Sequence, residues 1–260
     1  MKIGVFDSGL GGLTIVQAIM RHIKGAELYY IADTAHAPYG EKSPEQIRDY
    51  SLRIAHYFIQ THQIDALVIA CNTATSAAIS TLREQYPELM IVGTEPGVKP
   101  AIEQTRTGKV GVLATPATLS GEKYQQLVDT HAKEKDVVLY EQACPGLVEQ
   151  IEQGKADHAD TQRMLESWLY PMRKAQVDTI VLGCTHYPLV GNVIEKIMEH
   201  RLTLIHTGDA IAKRLLALGK NNGHINEGVL TLHFYTTGKI DSESVRHILG
   251  MDRPFQKITI

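Results

Sequence analysis

Cysteine is scarce in this sequence. Three occur in 260 residues, Cys71, Cys144 and Cys184, so they cannot all be paired with one another. No C-x-x-C is present, which leaves a zinc ribbon or a thioredoxin-type site without support. In a reducing compartment these are free thiols, and the bland role of any one of them is that of a small buried hydrophobe. Long apolar runs are also missing. No uninterrupted stretch reaches the ~18 residues of a spanning helix, so no transmembrane segment is expected. The opening MKIGVFDSGLGG has too short an apolar run for a signal peptide, and Asp7 interrupts it. Basic runs are absent too: lysine and arginine are dispersed and the net charge is −3, which gives no phosphate-tracking stripe. We expect a cytoplasmic protein with neither a nucleic-acid nor a membrane partner.

What remains is ordinary globular material, 43% hydrophobic and 21% charged. At this length the chain can bury one large core or two modest ones. Short aliphatic runs alternate with amphipathic stretches. Strands are expected at 2–7, 26–33, 65–71, 89–94, 109–115, 136–142, 178–184, 202–206 and 230–237. Helices are expected between most of them, as at 43–62 and around 161–175. Alternation of this kind implies an α/β fold with largely parallel central sheets covered on both faces.

One half of the chain echoes the other. IDALVIACNT (64–73) and VDTIVLGCTHYP (177–188) each run an apolar strand into a small residue, a cysteine and a threonine. Their cysteines lie 113 residues apart (184 − 71). KIGVFDSGLGG and KVGVLATPATLSG open at residues 2 and 109, an offset of 107 (109 − 2). The simplest interpretation is two similar α/β domains, each giving one opening loop and one cysteine loop. Ligands of parallel sheets bind beyond the carboxyl ends of the strands, so facing domains would bring both thiols to one cleft.

The motifs carry chemistry unequally. In FDSGLGGLT (6–14) a strand end meets a glycine-rich turn and a helix expected near Leu13. Glycines permit positive φ and close backbone approach, and a helix N-terminus favours an anion. The third glycine of a dinucleotide fingerprint is Thr14 here, although Asp33 stands where a ribose-binding acid could sit. A small carboxylate-bearing substrate also suits this loop, with Asp7 and Ser8 reaching inward, and so does a plain turn in which Asp7 caps the helix. ADTAHAPYGEKS (32–43) is a turn fixed by Pro38 and Gly40, with a hydroxyl on Tyr39.

ACNTATSAA (70–78) puts Cys71 at the start of a helix, where a positive potential lowers a thiol's pKa below about 8.5. GCTHYPLV (183–190) repeats the plan with Cys184, Thr185 and His186, whose ring can hydrogen-bond to a thiolate. A cysteine–histidine pair alone would fit a thiol protease or amidase. Two matching cysteines fit better with two-base proton transfer, one thiolate removing a proton from one face of a stereocentre while a thiol donates to the other. CPGLVEQIEQG (144–154) carries a structural Cys144, and Glu149 and Glu152 read by default as surface charge.

Together DSGLGGLT, the PYG-x-K run of Pro38, Tyr39, Gly40 and Lys42, ACNTAT and GCTHYPL resemble the glutamate racemases. The likeness continues through EPGVKPA (95–101), VGVLATPAT (110–118), the Cys144–Gly154 stretch, TGDAI (207–211) and FYTTG (234–238), in order along nearly the whole chain. Aspartate racemases of the same superfamily usually carry Glu at the place of His186. The resemblance implies an enzyme that needs no cofactor and interconverts L- and D-glutamate, its small-molecule substrate, feeding D-glutamate to peptidoglycan synthesis and so to cell-wall biogenesis and cell shape. It implies Cys71 as the base for D-glutamate and Cys184 as the base for L-glutamate. Asp7, Glu152 and His186 match residues that assist proton transfer. Asp7, Ser8, Pro38, Tyr39, Gly40, Asn72, Thr73, Thr185 and His186 match the substrate-contacting loops, and Thr115 and Thr118 a polar pair near the substrate carboxylates. It also implies one domain from 1–96 with 207–260 and another from 97–206, with the active site in the cleft between them.

The sequence departs from the family at His36, where many members have Arg, at Glu149–Gln150 in place of Pro-Leu, and at Thr207 in place of Ser. Rival readings are a relative acting on aspartate, a hydantoin or a malonate, and a binding module for small acidic ligands with buried thiols. No metal site is expected, and a homodimer is left open.

Overall fold

The computed structural model describes residues 1–131, 135, 137–199 and 202–260. In chain order they form β1 (Lys2–Asp7), α1 (Leu13–His22), β2 (Glu27–Ala32), α2 (Pro44–Tyr57), β3 (Ala66–Ile69), α3 (Asn72–Gln85), β4 (Met90–Gly93), α4 (Val98–Gln104), β5 (Lys109–Ala114), α5 (Pro116–Leu119), α6 (Glu122–His131) and β6 (Val138–Ala143). There follow α7 (Leu147–Glu152), α8 (Ala159–Lys174), β7 (Thr179–Gly183), α9 (Gly191–Ile197), β8 (Thr203–Ile205), α10 (Gly208–Asn221), β9 (Thr231–Thr236), α11 (Ser242–Leu249) and β10 (Gln256–Lys257). The expected strands sit within a few residues of these limits. Asp136, in the expected strand 136–142, lies outside the described residues. Among the described residues, β10 is the one strand with no counterpart in the sequence reading.

The chain divides into two compact units, Met1–Thr94 with Thr207–Ile260, and Glu95–His206. The first holds a sheet ordered β10-β9-β2-β1-β3-β4, the second a sheet ordered β6-β5-β7-β8. Every pairing is parallel. The segment β2-β1-β3-β4 of the first sheet has the same order as the whole of the second. Thus β1 corresponds to β5, β2 to β6 and β3 to β7, which is the structural form of the echo in the sequence.

Burial explains the aliphatic runs. Alternate residues of a strand face opposite sides, and in the first unit both sides are covered. Phe6, Tyr29, Ile31, Leu67 and Ile69 pack under α2 and α3. Their neighbours Val5, Leu28, Tyr30 and Val68 are buried as well, on the opposite face by alternation, and α1 packs with α10 and α11. In the second unit Leu113, Ile180 and Leu182 join α7, α8 and α9, while Val110, Val112 and Val181 join α4 and α6. A strand buried twice cannot show polar alternation, and none of these does.

The expected helix 43–62 changes character before its end. Ser43 accepts from the backbone N–H of Gln46 and Gln46 reaches back to the N–H of Ser43, a reciprocal cap with Pro44 at the first helical position. From Phe58 to His62 the helix widens into a π turn, and Gln63 closes it in the left-handed region at φ 53°. Because the cap satisfies two otherwise orphaned donors, Ser43→Ala should lower unfolding free energy by about 1 kcal/mol. That corresponds to a Tm some 2–4 °C lower in a thermal scan, for a chain of this size.

Candidate active site

In the first unit three loops leave neighbouring strands at the same edge of the sheet. Asp7 ends β1, Asp33 follows β2 and Cys71 follows β3. Between Asp7 and Leu13 the chain is Ser8, Gly9, Leu10, Gly11 and Gly12. One carboxylate oxygen of Asp7, Oδ2, accepts from the N–H of Gly9 at 3.1 Å and of Gly12 at 3.0 Å. Gly12 precedes α1 with φ −60°. It is therefore glycine for room, not for a left-handed backbone. A Cβ there would lie 2.6 Å from Asp7 Cβ and 2.9 Å from the Tyr30 hydroxyl.

The next loop is organised by Asp33, which is fully buried. Its carboxylate accepts from the Tyr39 hydroxyl at 2.5 Å, from Thr237 Oγ1 at 2.7 Å and pairs with His36 Nδ1 at 2.9 Å. His36 in turn stacks on Tyr50, 4.0 Å between ring centres. Asp33 is thus spent inside the protein, which removes the support it lent to a ribose-binding reading. Burial, then the charge of Asp33, hold the Tyr39 phenol well above its usual range. Tyr39 remains protonated and its proton points at Asp33. Pro38, joined to Ala37 by a cis bond, leads into a single 3-10 turn at Tyr39–Glu41 that contains Gly40.

Cys71 is the residue before α3, and its sulfur accepts from the N–H of Ala74 at 3.5 Å. An N–H aimed at sulfur from the positive end of a fourteen-residue helix stabilises negative charge there. The Ser8 hydroxyl lies 4.0 Å from the same sulfur. Asn72 donates to the carbonyl of Thr94 at 3.3 Å, and Thr73 is buried beside it. The expectation of a cysteine at a helix start holds here.

In the second unit it does not hold for Cys184. After β7 the backbone makes a 3-10 turn over Tyr187–Val190 before α9 begins at Gly191, so no helix starts on this thiol. Its neighbour is a side chain instead. Cys184 Sγ lies 3.7 Å from His186 Nδ1, and His186 Nε2 lies 2.5 Å from Glu152 Oε1. A carboxylate on Nε2 places a proton there, which leaves Nδ1 to accept from a thiol or, as imidazolium, to donate to a thiolate. The default reading of Glu152 as surface charge is therefore wrong. It sits at the end of α7, only 22% exposed, against a histidine that is 2% exposed. Composition and spacing around it do not mark this, since the partner is 34 residues away; only the resemblance carried by the Cys144–Gly154 stretch singled it out.

Thr115 opens α5 and shares a hydroxyl–hydroxyl bond of 2.9 Å with Thr118. Thr185 is buried between Cys184 and His186. Cys144 follows β6, and two hydrogen bonds meet there. The buried Tyr187 hydroxyl donates to its carbonyl at 3.5 Å, and the thiol donates to the carbonyl of Gln142 at 3.5 Å. Burial, followed by the nearby Cys184, pushes the Cys144 thiol up to about 12. Sequence reasoning missed Tyr187 and Tyr30 altogether; the available signal was a tyrosine in an otherwise aliphatic, doubly buried setting, which must find a partner for its hydroxyl.

A model of the Asp/Glu/Hydantoin racemase family matches residues 4–215. A glutamate racemase of Sulfurovum sp. (strain NBC37-1) is 65% identical over 260 residues, spanning all of this chain and 98% of that protein. Among solved structures, glutamate racemase isoform RacE1 from Bacillus anthracis superposes with a TM-score of 0.86 at 31% identity, over 99% of this chain and 97% of that one. The glutamate racemase of Francisella tularensis subsp. tularensis SCHU S4, solved in complex with D-glutamate, gives a TM-score of 0.85 at 27% identity, over 100% and 97%.

A thiol titrating near 12 is almost wholly protonated at pH ~8, and the thiolate is the nucleophile. Cys144 should therefore resist iodoacetamide at that pH while Cys71 and Cys184 are modified. Its labelling rate should climb about tenfold per pH unit until it titrates, provided the fold survives. Peptide mass spectrometry over a pH series measures all three thiols in one sample.

Proposed function

Because this chain belongs to the Asp/Glu/hydantoin racemase family, we propose that it interconverts L- and D-glutamate by proton transfer between two cysteines. Cys71 is the base for D-glutamate and Cys184 the base for L-glutamate. The observation that carries the reading is the equivalence of the two thiols: each stands just past the carboxyl end of the strand next to the central one, in sheets of the same order. A reaction whose two directions are mirror images asks for two bases of one kind, approaching one α-carbon from opposite sides.

From D-glutamate, Cys71 thiolate takes the α-proton, forming S–H as C–H breaks. The electron pair stays on the α-carbon and delocalises into the carboxylate. Cys184 thiol then gives its proton to the other face and becomes thiolate. No electrons are gained or lost, and the enzyme ends with the proton on the opposite sulfur. The reverse reaction runs the same steps backwards.

The two thiols manage charge with unlike means. Cys71 uses the backbone N–H of Ala74 at the start of α3, a fixed dipole that needs no proton of its own. Cys184 uses the His186 ring, whose far nitrogen is held by Glu152. In this reading Asp7 and Ser8 act beside Cys71. Substrate polar groups are taken up by Tyr39, Gly40, Asn72, Thr73, Thr115, Thr118 and Thr185, with Pro38 shaping the loop. Preorganised donors of this kind stabilise developing negative charge without reorganising. Glutamate is the substrate named for the relatives of highest identity, and the Francisella structure was solved with its D-form. We assign the D-glutamate produced to peptidoglycan synthesis.

Racemisation of D-glutamate in heavy water, with no pyridoxal phosphate added, tests the scheme. The first L-glutamate formed should carry deuterium at the α-carbon while unreacted D-glutamate stays unlabelled. Early label in both enantiomers would mean a single base. Cys71→Ala and Cys184→Ala should each abolish full racemisation, and near-normal turnover of either variant would remove that thiol from the mechanism.

His186 beside Cys184 gives a separate expectation. His186→Asn should lower kcat from L- to D-glutamate more than kcat in the other direction. Only kcat can reveal this, because the ratio of kcat/KM values is fixed by the equilibrium. Steady-state kinetics in both directions, read by polarimetry, decides it, and equal losses would show that His186 serves both halves.

A further inference from the structure

We propose that Tyr30 is a positioning residue for the Cys71 half of the reaction, holding Asp7 and Ser8 in place through the peptide of Gly9. The proposal rests on the racemase reading above. The loop it concerns has three glycines among the five residues between Asp7 and Leu13. Glycine loses more backbone freedom on ordering than any other residue, and such a segment has few side chains with which to anchor itself. Its order must come from outside.

Two groups fix Gly9 within it. Asp7 Oδ2 takes the N–H of Gly9, as described, and the Tyr30 hydroxyl donates to the carbonyl of Gly9 at 2.6 Å. Both polar groups that Gly9 contributes to the backbone are therefore fixed. Tyr30 can impose a position because it has none to choose. It lies on β2 in register with Val5 of β1, its side chain is 0% exposed, and Phe234 and Phe255 box its ring at 6.1 and 6.2 Å. The hydroxyl occupies the space a side chain at position 12 would need, 2.9 Å from where a Cβ would be. Gly12 and Tyr30 are in this sense one device, a gap and the group that fills it.

Without that oxygen the buried Gly9 carbonyl loses its donor, and a buried polar group seeks a new partner or stays strained. The loop then holds Ser8 less firmly at 4.0 Å from the Cys71 sulfur, and the Asp7 carboxylate less firmly in line. Cys184, served by elements of the other unit, should not notice. The effect is specific to one thiol, which separates positioning from general loss of stability.

The experiment is Tyr30→Phe, with Tyr124→Phe as the control; Tyr124 is also buried and donates to Glu141 at 2.5 Å, away from either thiol's loop. For Tyr30→Phe, kcat/KM should fall about tenfold in both directions. The α-deuterium isotope effect on kcat/KM should rise with D-glutamate, since abstraction by Cys71 becomes more fully limiting, and fall with L-glutamate, since abstraction by Cys184 becomes less so. Iodoacetamide should label Cys71 about threefold faster or more, as the loop over a 5%-exposed thiol loosens, with Cys184 unchanged. Gly12→Ala presses on the same hydroxyl and should move these readouts in the same directions. Tyr124→Phe should move none of them. Isotope effects and Cys71 labelling equal to those of the wild type would overturn the proposal, whatever happens to Tm. A wild-type protein that does not racemise glutamate would overturn the reading it rests on instead, and the labelling arm would still decide whether Tyr30 positions the loop.

Discussion

A parallel sheet sends every strand out at the same edge. In an antiparallel sheet adjacent loops alternate between the two ends, but here β1, β2 and β3 all finish together, and so do β5, β6 and β7. Whatever residue lies at a strand end or within two steps of it is brought within a few strand spacings of its neighbours, each about 4.8 Å. Asp7, Asp33 and Cys71 are gathered in this way, as are Thr115, Cys144 and Cys184. The hydrophobic runs that make the strands therefore also deliver the chemistry, because the strand ends where the aliphatics end.

The two units share a strand order and differ in how each loop is held. The glycine loop after β1 is fixed by a carboxylate and a phenol; its counterpart after β5 starts a short helix capped by Thr115. The cysteine loop after β3 begins a long helix, whereas the one after β7 turns away and brings a histidine to the sulfur instead. Duplication of a scaffold thus fixes where a functional group stands and leaves open what surrounds it. Asp33 and Cys144 show the same point: they occupy corresponding places, one a buried carboxylate with three donors, the other a thiol that burial keeps protonated.

Much of this was legible in the sequence: where both faces are covered, as in β1, β3, β5 and β7, the strand writes itself as an unbroken apolar run, and short apolar runs marked the less buried β6, β8 and β9 as well. The position of Cys71 before a helix was equally readable, since alanine-rich sequence follows it. Three things were not. The π turn at Phe58–His62 lies inside a stretch whose pattern reads as one uniform helix. The bond from Glu152 to His186 joins residues far apart in the chain, and Glu152 taken alone looks like any charged residue near a turn. Gly12 stood among glycines that permit positive φ and close backbone approach, and which of the two applies was not readable: it is the nearness of Asp7 and Tyr30 that excludes a side chain. Long-range partners, not local propensities, account for the last two of these gaps.

The first unit is built from two stretches of chain, with residues 207–260 returning to complete a sheet begun at residue 2. Until β9 arrives, β2 has no strand on its outer side, and a row of backbone donors and acceptors lies open. Thr237, a ligand of Asp33, and Phe234, a wall of the Tyr30 pocket, come with the same returning stretch. The second unit, by contrast, is continuous. On a ribosome it can close while the first is still waiting for its last strand, so the newborn chain passes through a stage with one half folded and one edge adhesive. For this protein the interval between synthesis of β2 and of β9 is when aggregation competes with folding, and chaperones that shield strand edges would matter most there.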